Sequence, residues 1–243
     1  MTGALTLALD IRTYWLHARG EGGGADFDLV METDADGFPL LRGRHVAGLL
    51  RLALERARAW QWFEEDDFAD IIPDLLVGTR VQREPDDPKK EKPRKRRETI
   101  PGCLDIRSAR VPDRLRRALI PPGVTKEDEA ARYEALFRRI DSTAIDEIRG
   151  VAKQAHLRSV EAAIPLPLVF DVHHTPEDLL AWVNSLADKD ERKAEMDAVE
   201  AAEKRWQTWL GIAWPALDEV GAKRTRGFGR LGYTPLKAEG ERS

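Results

Sequence analysis

The 243-residue sequence has very little cysteine and no long apolar run. Its single cysteine, Cys103, excludes a disulfide framework and a cysteine-rich zinc site. This usage is typical of a reducing compartment. No apolar run approaches the ~20 residues of a membrane span, and the N-terminal segment lacks the basic region of a signal peptide. We therefore expect a cytoplasmic protein that does not act at a membrane.

The sequence also lacks a large net charge of either sign. It has 39 Lys and Arg residues against 43 Asp and Glu residues, which gives a formal charge of −4. The charges are nevertheless clustered, with basic residues at 89–97 and 223–230 and acidic residues at 64–67 and 188–203. Because local charge governs binding to a polyanion, the basic clusters are the candidates for nucleic-acid binding.

The hydrophobic pattern predicts a mixed helix and strand fold. The length fits one large domain or two small ones, and we interpret residues 1–243 as a single domain. The predicted strands lie at 4–11, at 104–111, at 156–172 (two strands or one long hairpin arm) and in the last segment, FGRLGYTPL. The predicted helices run from Gly43 to about Trp62, over 126–140, from Thr175-Pro176 (with Thr175 as the N-cap), and through Trp206 and Trp209. The order β-α-β-β-α-β predicts an α+β, ferredoxin-like (RRM-like) core with insertions.

One insertion interrupts this pattern at about 84–98, with the sequence EPDDPKKEKPRKRRE. It contains three prolines and almost no apolar residue, so we predict an exposed, mobile segment. Its basic run is open to two interpretations: a loop that faces RNA, or a solvated loop that aids solubility.

A glycine-rich basic loop, GAKRTRGFGRL, occupies residues 221–231. Gly227 and Gly229 allow the backbone to approach another backbone or a phosphate closely. Lys223, Arg224 and Arg226 supply positive charge. The alternative is a helix C-cap at Gly221 followed by a solvated turn.

Three blocks in a fixed order resemble the RAMP superfamily of CRISPR-associated proteins. The block DFDLVMETDADGFPLLRGRHVAGLLR (26–51) resembles the family's strand, turn and PGSSLKGALR helix start. The block STAIDEIRGVAKQAHLRSVEA (142–162) resembles IDRxTGxAxxxxLRxxE, and the loop at 221–231 resembles GGxxSRGFGRV. The chain looks most like the repeated backbone subunit of type III effector complexes.

This resemblance implies a ferredoxin-like core with a protruding thumb. It also implies binding of a guide RNA, assembly with further copies of the chain and with other RAMP-type subunits, and cleavage of a target RNA. The RNA-binding residues carried over from the first block are Arg44, His45 and Arg51. A helix start that exposes N–H groups beside cations suits phosphate binding.

The resemblance also implies an aspartate in the loop at 24–30 as the cleavage residue. Asp28 matches the family position, and Asp26 is the second choice. A carboxylate there can take the 2′-hydroxyl proton or hold a divalent metal, magnesium or manganese, and the metal is favoured because one exposed carboxylate is a weak base. The alternative is that both are solvated loop acids.

Two further readings stay open. His17 and His45 can form an acid–base pair, as in guide-processing ribonucleases of the same superfamily, which would make the chain a stand-alone guide-processing endoribonuclease. The chain can also be a non-catalytic structural RNA-binding subunit. We interpret His173 and His174 as surface residues. The tryptophans on helical patterns are interpreted as core or subunit contacts: Trp60, Trp62, Trp182, Trp206, Trp209 and Trp214.

Overall fold

The computed structural model describes residues 4–18, 28–63, 66–79, 99–145, 152–222 and 224–232. The strands of this part of the chain are β1 (Ala4–Asp10), β2 (Leu40–Leu41), β3 (Leu104–Ile106), β4 (Ala109–Arg110), β5 (Phe137–Ile145), β6 (Ala152–Ala163) and β7 (Pro167–His174). The helices are α1 (Gly43–Ala59), α2 (Ile72–Val77), α3 (Asp113–Leu119), α4 (Lys126–Glu134), α5 (Glu177–Ser185) and α6 (Lys189–Ala213). Short 3₁₀ turns cover Trp214–Ala216 and Arg224–Arg226.

Five of these strands form one antiparallel sheet. β1, β7, β4 and β2 are neighbours in that order, and β3 also pairs with β7. In β1, Leu5, Leu7 and Leu9 are buried whereas Thr6 and Ala8 are exposed. A strand with one face on the core shows this period of two, so the half-buried strand predicted at 4–11 is confirmed.

The inner face of the sheet is covered by α1 and α6. The buried residues of α1 recur at helical spacing and are Val46, Leu49, Leu50, Ala53, Leu54 and Ala57, together with Arg51. α6 buries Trp206 and Trp209 against this layer. It starts where the side chain of Asp188 accepts hydrogen bonds from the N–H groups of Asp190 and Glu191, which caps the helix. The element order and layers agree with an α+β, ferredoxin-like fold.

His174 is a correction to the sequence analysis, because its side chain is buried. It extends the inner-facing alternation of β7, which also includes Phe170 and Val172, and its ring stacks on Trp206 with centroids 6.4 Å apart. The alternation of β7 is present in the sequence as far as His174, but the adjoining helix start favoured the interpretation of His174 as a surface residue.

The start of α5 differs by one residue from the prediction. The N-cap is Pro176 and not Thr175, and α5 begins at Glu177. The N–H of Thr175 donates to the carbonyl of Cys103 at 2.8 Å, which keeps Thr175 in line with the end of β7. Cys103 itself is buried, and burial raises the pKa of its thiol to about 12.

The helix predicted over 126–140 is wrong beyond Glu134. Residues from Phe137 onward form β5, which pairs with β6 in a separate antiparallel hairpin. This hairpin corresponds to the thumb-like extension. Trp15 joins it to the rest of the fold, since its N–H donates to the carbonyl of Ala163 at 3.1 Å and its carbonyl accepts from the N–H of Ala163 at 2.8 Å.

The last predicted strand, FGRLGYTPL, is reduced to single bridges in the described residues. Leu231 bridges Ile11, and Arg230 bridges Glu219. Residues from 233 onward and the insertion at 84–98 lie outside the described residues. No helix in the described part of the chain is both long and apolar enough to cross a membrane.

Candidate nucleic-acid interface

The N-terminus of α1 lies against the edge of β3. A Cβ atom on Gly43 would be 2.3 Å from the carbonyl oxygen of Ile106, so only glycine fits there. The N–H of Gly43 donates to Ser108 Oγ at 3.0 Å, and the N–H of His45 donates to the carbonyl of Arg42 at 2.8 Å. The exposed side chain of Arg44 follows directly. This end of the helix therefore combines a positive dipole end with a cation.

His17 and His45 come together beside this helix start. Their ring centroids are 4.5 Å apart, and the Nε2 atom of each ring is buried without a hydrogen-bond partner among the described residues. Burial lowers the pKa of His17, and Arg42 and Arg44 lower it further, whereas Glu32 raises it. Burial, His17 and Arg224 lower the pKa of His45 to about 4. Both rings are therefore neutral near pH 7.

Glu32 is the third member of this polar cluster. It is buried, and its Oε1 accepts from Arg42 at 2.8 Å, whereas its Oε2 is buried without a partner among the described residues. The N–H of Glu32 donates to the carbonyl of His17 at 2.7 Å. Three buried polar atoms thus lie without described partners next to the helix start, where a polar ligand would satisfy them.

The glycine-rich loop is held against the segment that follows β1, which also contains His17. Gly229 has φ +69°, a Cβ on it would be 1.9 Å from the carbonyl oxygen of Val220, and its N–H donates to the carbonyl of Tyr14 at 2.8 Å. Gly227 has φ +80° and faces open space. Arg224 and Arg226 lie in the 3₁₀ turn that directly precedes Gly227, and Lys223 lies outside the described residues. Gly229 thus serves backbone packing, whereas Gly227 leaves the loop surface open.

Arg51 has a different position from the one the resemblance implied. Its side chain is 6% exposed and pairs with Asp74 at 2.7 Å and with Glu55 at 3.5 Å. The pair with Asp74 joins α1 to α2, and the pair with Glu55 lies within α1. The arginine is therefore part of the helix packing and is not on the surface formed by Arg44 and Arg224.

Asp28 lies at the base of the β5–β6 hairpin. Its N–H donates to the carbonyl of Ser159 at 2.9 Å, and its Oδ2 accepts from the N–H of Ser159 at 2.8 Å. Oδ1 has no hydrogen bond to any described residue, and the side chain is exposed. Asp26 lies outside the described residues. The carboxylate of Asp28 is thus held in place by the hairpin while one oxygen stays open to solvent.

The same serine also holds a second carboxylate, which sequence reasoning missed. Ser159 Oγ donates to Asp141 Oδ1 at 2.6 Å, and Arg139 pairs with Asp141 at 2.9 Å. Both contacts lower the pKa of Asp141, and the hydrogen bond from Ser159 has the larger effect. The groups lie 113 and 131 positions from Asp28 in the sequence (141 − 28 and 159 − 28), and the bridge of Leu29 with Val160, together with the hydrogen bonds between Asp28 and Ser159, brings them together.

A divalent metal implied by the resemblance was tested against these oxygens. Among the described residues, no group of three or more His, Cys, Asp or Glu side chains has an arrangement that could hold a metal ion. Magnesium, however, is commonly bound by one or two carboxylates together with substrate phosphates. The open oxygen of Asp28 fits that mode of binding and does not fit a closed protein site.

The chain is similar to known proteins over nearly all of this fold. The profile of the RAMP superfamily matches residues 9–232. A chain of the type III-B Cmr-beta complex bound to cognate target RNA is 10% identical, with 94% of this chain and 95% of that chain covered and a TM-score of 0.52.

Two further solved structures are similar. The apo state of Cmr-beta gives the same identity and coverage with a TM-score of 0.53. A chain of a type IV-B CRISPR complex is 14% identical, with 99% and 93% covered and a TM-score of 0.49. None of the curated proteins matches the chain. At these identities the similarity to the Cmr-beta chains concerns the fold.

Proposed function

The chain belongs to the RAMP superfamily, and from this premise we propose that it is a guide-RNA-binding backbone subunit of a type III CRISPR RNA-targeting complex that cleaves target RNA through Asp28. One observation carries the RNA-binding part. The start of α1 and the glycine-rich loop, 180 residues apart (224 − 44), place Arg44 near His17 and Arg224 near His45, two rings whose centroids are 4.5 Å apart. The fold shared with a subunit of an RNA-bound type III-B complex supports the same class.

The surface formed by Arg44, His45, Arg224 and Arg226, called here the guide surface, suits a phosphate backbone. Arginine offers a planar fork of donors that matches phosphate oxygens. The helix start adds its positive dipole end. The open face of Gly227 lets a sugar or phosphate approach the loop backbone without a side chain in the way.

The second part of the proposal, cleavage of target RNA, depends on Asp28. The hydrogen bond from the N–H of Ser159 fixes the carboxylate relative to the β5–β6 hairpin, so a target strand bent by that hairpin would meet the open Oδ1. Oδ1 would then hold a magnesium or manganese ion jointly with a target phosphate. When bound, such a metal stabilises negative charge on the phosphate; Asp28 orients the site, and Ser159 orients Asp28.

The test compares cleavage and binding in an assembled complex with a labelled matched target. Asp28→Asn removes the charge but retains an oxygen that can accept from Ser159, so guide and target binding should stay at the parent level. Cleavage should fall by orders of magnitude, because the lost group acts in the transition state. Asp178→Asn, an exposed acid on α5, is the matched control and should cleave like the parent.

Two outcomes would change the assignment. Cleavage by Asp28→Asn at the parent rate would remove Asp28 from the mechanism. A parent complex that binds target but never cleaves it, with magnesium or manganese present, would favour the non-catalytic structural subunit.

A second candidate function rests on the contact between His17 and His45. Two neutral histidines 4.5 Å apart can divide the roles of base and acid in metal-independent RNA cleavage, after one takes up a proton. Incubation of the chain with repeat-derived RNA in chelator tests this directly. Cleavage there that is lost in His45→Gln would establish a stand-alone guide-processing ribonuclease, and intact RNA would exclude it.

A further inference from the structure

The outer face of the five-stranded sheet carries a groove that the guide surface does not include. It has a volume of about 500 Å³ and lies between β7 and the segment 107–113. This volume falls within the range of sites for small ligands, ~300–1,000 Å³. We call it the β7 groove, and the lining residues used below are Arg107, Ser108, Arg110, Asp113, Val169 and Asp171.

The geometry of the sheet explains why the groove is open. Between β3 and β4 the chain leaves the ladder for two residues, Arg107 and Ser108, while the N–H of Arg107 still donates to the carbonyl of Asp171 at 2.9 Å. On the neighbouring strand β1, the outward residues Thr6 and Ala8 are small. No described side chain therefore covers this part of the outer face.

The charged groups of the groove suit a nucleotide. Arg110 is exposed and makes no ion pair with a described residue. Arg107 pairs with Asp105 at 2.9 Å, but its side chain is 65% exposed, so this is a weak surface pair that a phosphate can replace. Asp171 accepts from Thr6 Oγ1 at 2.6 Å through Oδ1 only, which leaves Oδ2 to accept from a ribose hydroxyl or a base amino group.

The groove adjoins the start of α1 at Ser108. Ser108, which lines the groove, accepts the N–H of Gly43 at 3.0 Å, and Arg44 follows Gly43 at the start of α1. A strand whose phosphate lies at the start of α1 therefore reaches the groove with an adjacent nucleotide.

We propose that the β7 groove is a second RNA subsite that binds one ribonucleotide of the strand held at the start of α1. Arg107 and Arg110 bind its phosphate, Val169 packs against the base or ribose, and Asp171 accepts from a hydroxyl or amino group. The inference rests on the proposed RNA-binding function and adds residues to which neither the sequence nor the family resemblance assigns a role. The chemistry fits a guide strand or a target strand equally.

The first test is the salt dependence of RNA affinity in the full chain. Arg107→Ala/Arg110→Ala is compared with the parent and with Lys204→Ala, which removes an exposed cation on α6 in the opposite layer. Each phosphate contact to single-stranded RNA contributes ~0.7 to the slope of log affinity against log salt. Because both arginines bind one phosphate, the double variant should bind more weakly with a slope lower in magnitude by about 0.7, while Lys204→Ala should retain the parent slope.

The experiment distinguishes a failure of the groove proposal from a failure of the proposed RNA-binding function. If the double variant binds RNA with the affinity and the slope of the parent, the groove proposal is overturned and the proposed function is left intact. A parent that binds no RNA would overturn both. Far-ultraviolet circular dichroism of each variant confirms that the fold is retained, and Arg107→Lys/Arg110→Lys, which retains the charge, should restore most of the affinity.

The second test identifies the strand. 4-Thiouridine is placed in the guide in one sample and in a matched target in another, and the cross-linked peptides are mapped. A cross-link within 107–113 or 167–171 from the guide alone assigns the groove to the guide, and one from the target alone assigns it to the target. Absence of a cross-link to these peptides from either strand would overturn the proposal.

Discussion

His45 has a low pKa for a residue that lies on a proposed phosphate-binding surface. Burial, the neighbouring His17 and the cation Arg224 hold that pKa at about 4, compared with 6.5 for an ordinary histidine. The folded protein therefore resists protonation of this ring over a range in which the unfolded chain accepts a proton.

This difference predicts a pH dependence of stability. Because the pKa is lower in the folded state, the contribution of His45 to stability is present above pH 6.5 and is lost as the pH falls from 6.5 toward 4. The urea midpoint of the parent should therefore decrease over this window, and the decrease should be smaller in His45→Gln. Equal pH profiles for the two proteins would show that the ring titrates normally.

The two glycines of the loop predict different costs on substitution by alanine. Gly229→Ala must place a Cβ 1.9 Å from the carbonyl of Val220, at φ +69°, so thermal stability should fall strongly. Gly227→Ala faces open space and bears only the left-handed backbone strain, ~1–2 kcal/mol. Thermal melts of both variants check this order. Equal losses would mean that the loop relaxes around Val220.

At the scale of elements, α1 carries one arginine for the proposed RNA binding and another for packing against α2. Arg44 is exposed at its N-terminus, whereas Arg51, two turns later, is buried against Asp74 of α2. We therefore expect Arg44→Ala to weaken RNA binding several-fold at unchanged stability. Arg51→Met should retain RNA affinity and lose stability by ~1–3 kcal/mol, since α1 and α2 lose their ion pair while the acidic partners remain partly solvated.

Affinity measurements and urea denaturation of both variants decide this point. Weakened RNA binding in a folded Arg51→Met would return that arginine to the RNA-binding set.

Elements whose pattern is set locally were predictable. β1 and α1 bury one face each, so the periods of 2 and 3.6 are visible in their sequences. β5 was not predictable in this way, because its sequence continues the polar pattern of α4 and its strand conformation depends on pairing with β6, about twenty residues later. Pairing between distant segments leaves no local period.

The candidate site shows the same division. Motif order led to the prediction of Arg44 and Asp28, but nothing in the sequence indicated that Arg51 would be buried while Arg44 is exposed. The position of Ser159 and Asp141 beside Asp28 depends on the register of β5 with β6 and on a bridge between Leu29 and Val160, which no short-range pattern predicts. The contact between His17 and His45 was raised as one possibility, and the structure brings the rings together.

At the scale of the whole molecule, arginines and acidic residues are concentrated in different places. The guide surface and the β7 groove are arginine-rich, whereas α6, which packs beside α1, carries the acidic cluster of 188–203. A formal charge of −4 is thus compatible with a directed basic face.

This distribution predicts that the chain isolated at low salt carries small RNA of defined length with a repeat-derived 5′ tag. Several copies of the chain should bind one RNA, and the affinity should fall steeply with salt because phosphate contacts release counterions. Sequencing of the co-purified RNA, size-exclusion chromatography and a salt titration measure the three properties. Affinity that is constant from low to high salt would contradict the backbone role.

The contact between Gly43 and the Ile106 carbonyl has a consequence for mutational tolerance. In a scan of all substitutions, position 43 should be depleted as strongly as any position on the guide surface, because every side chain there collides with β3. Depletion at 43 would follow protein abundance, whereas depletion at Arg44 would follow RNA affinity at normal abundance. Two adjacent codons would then give the same loss of activity for unrelated reasons, and only a parallel selection for abundance would separate them.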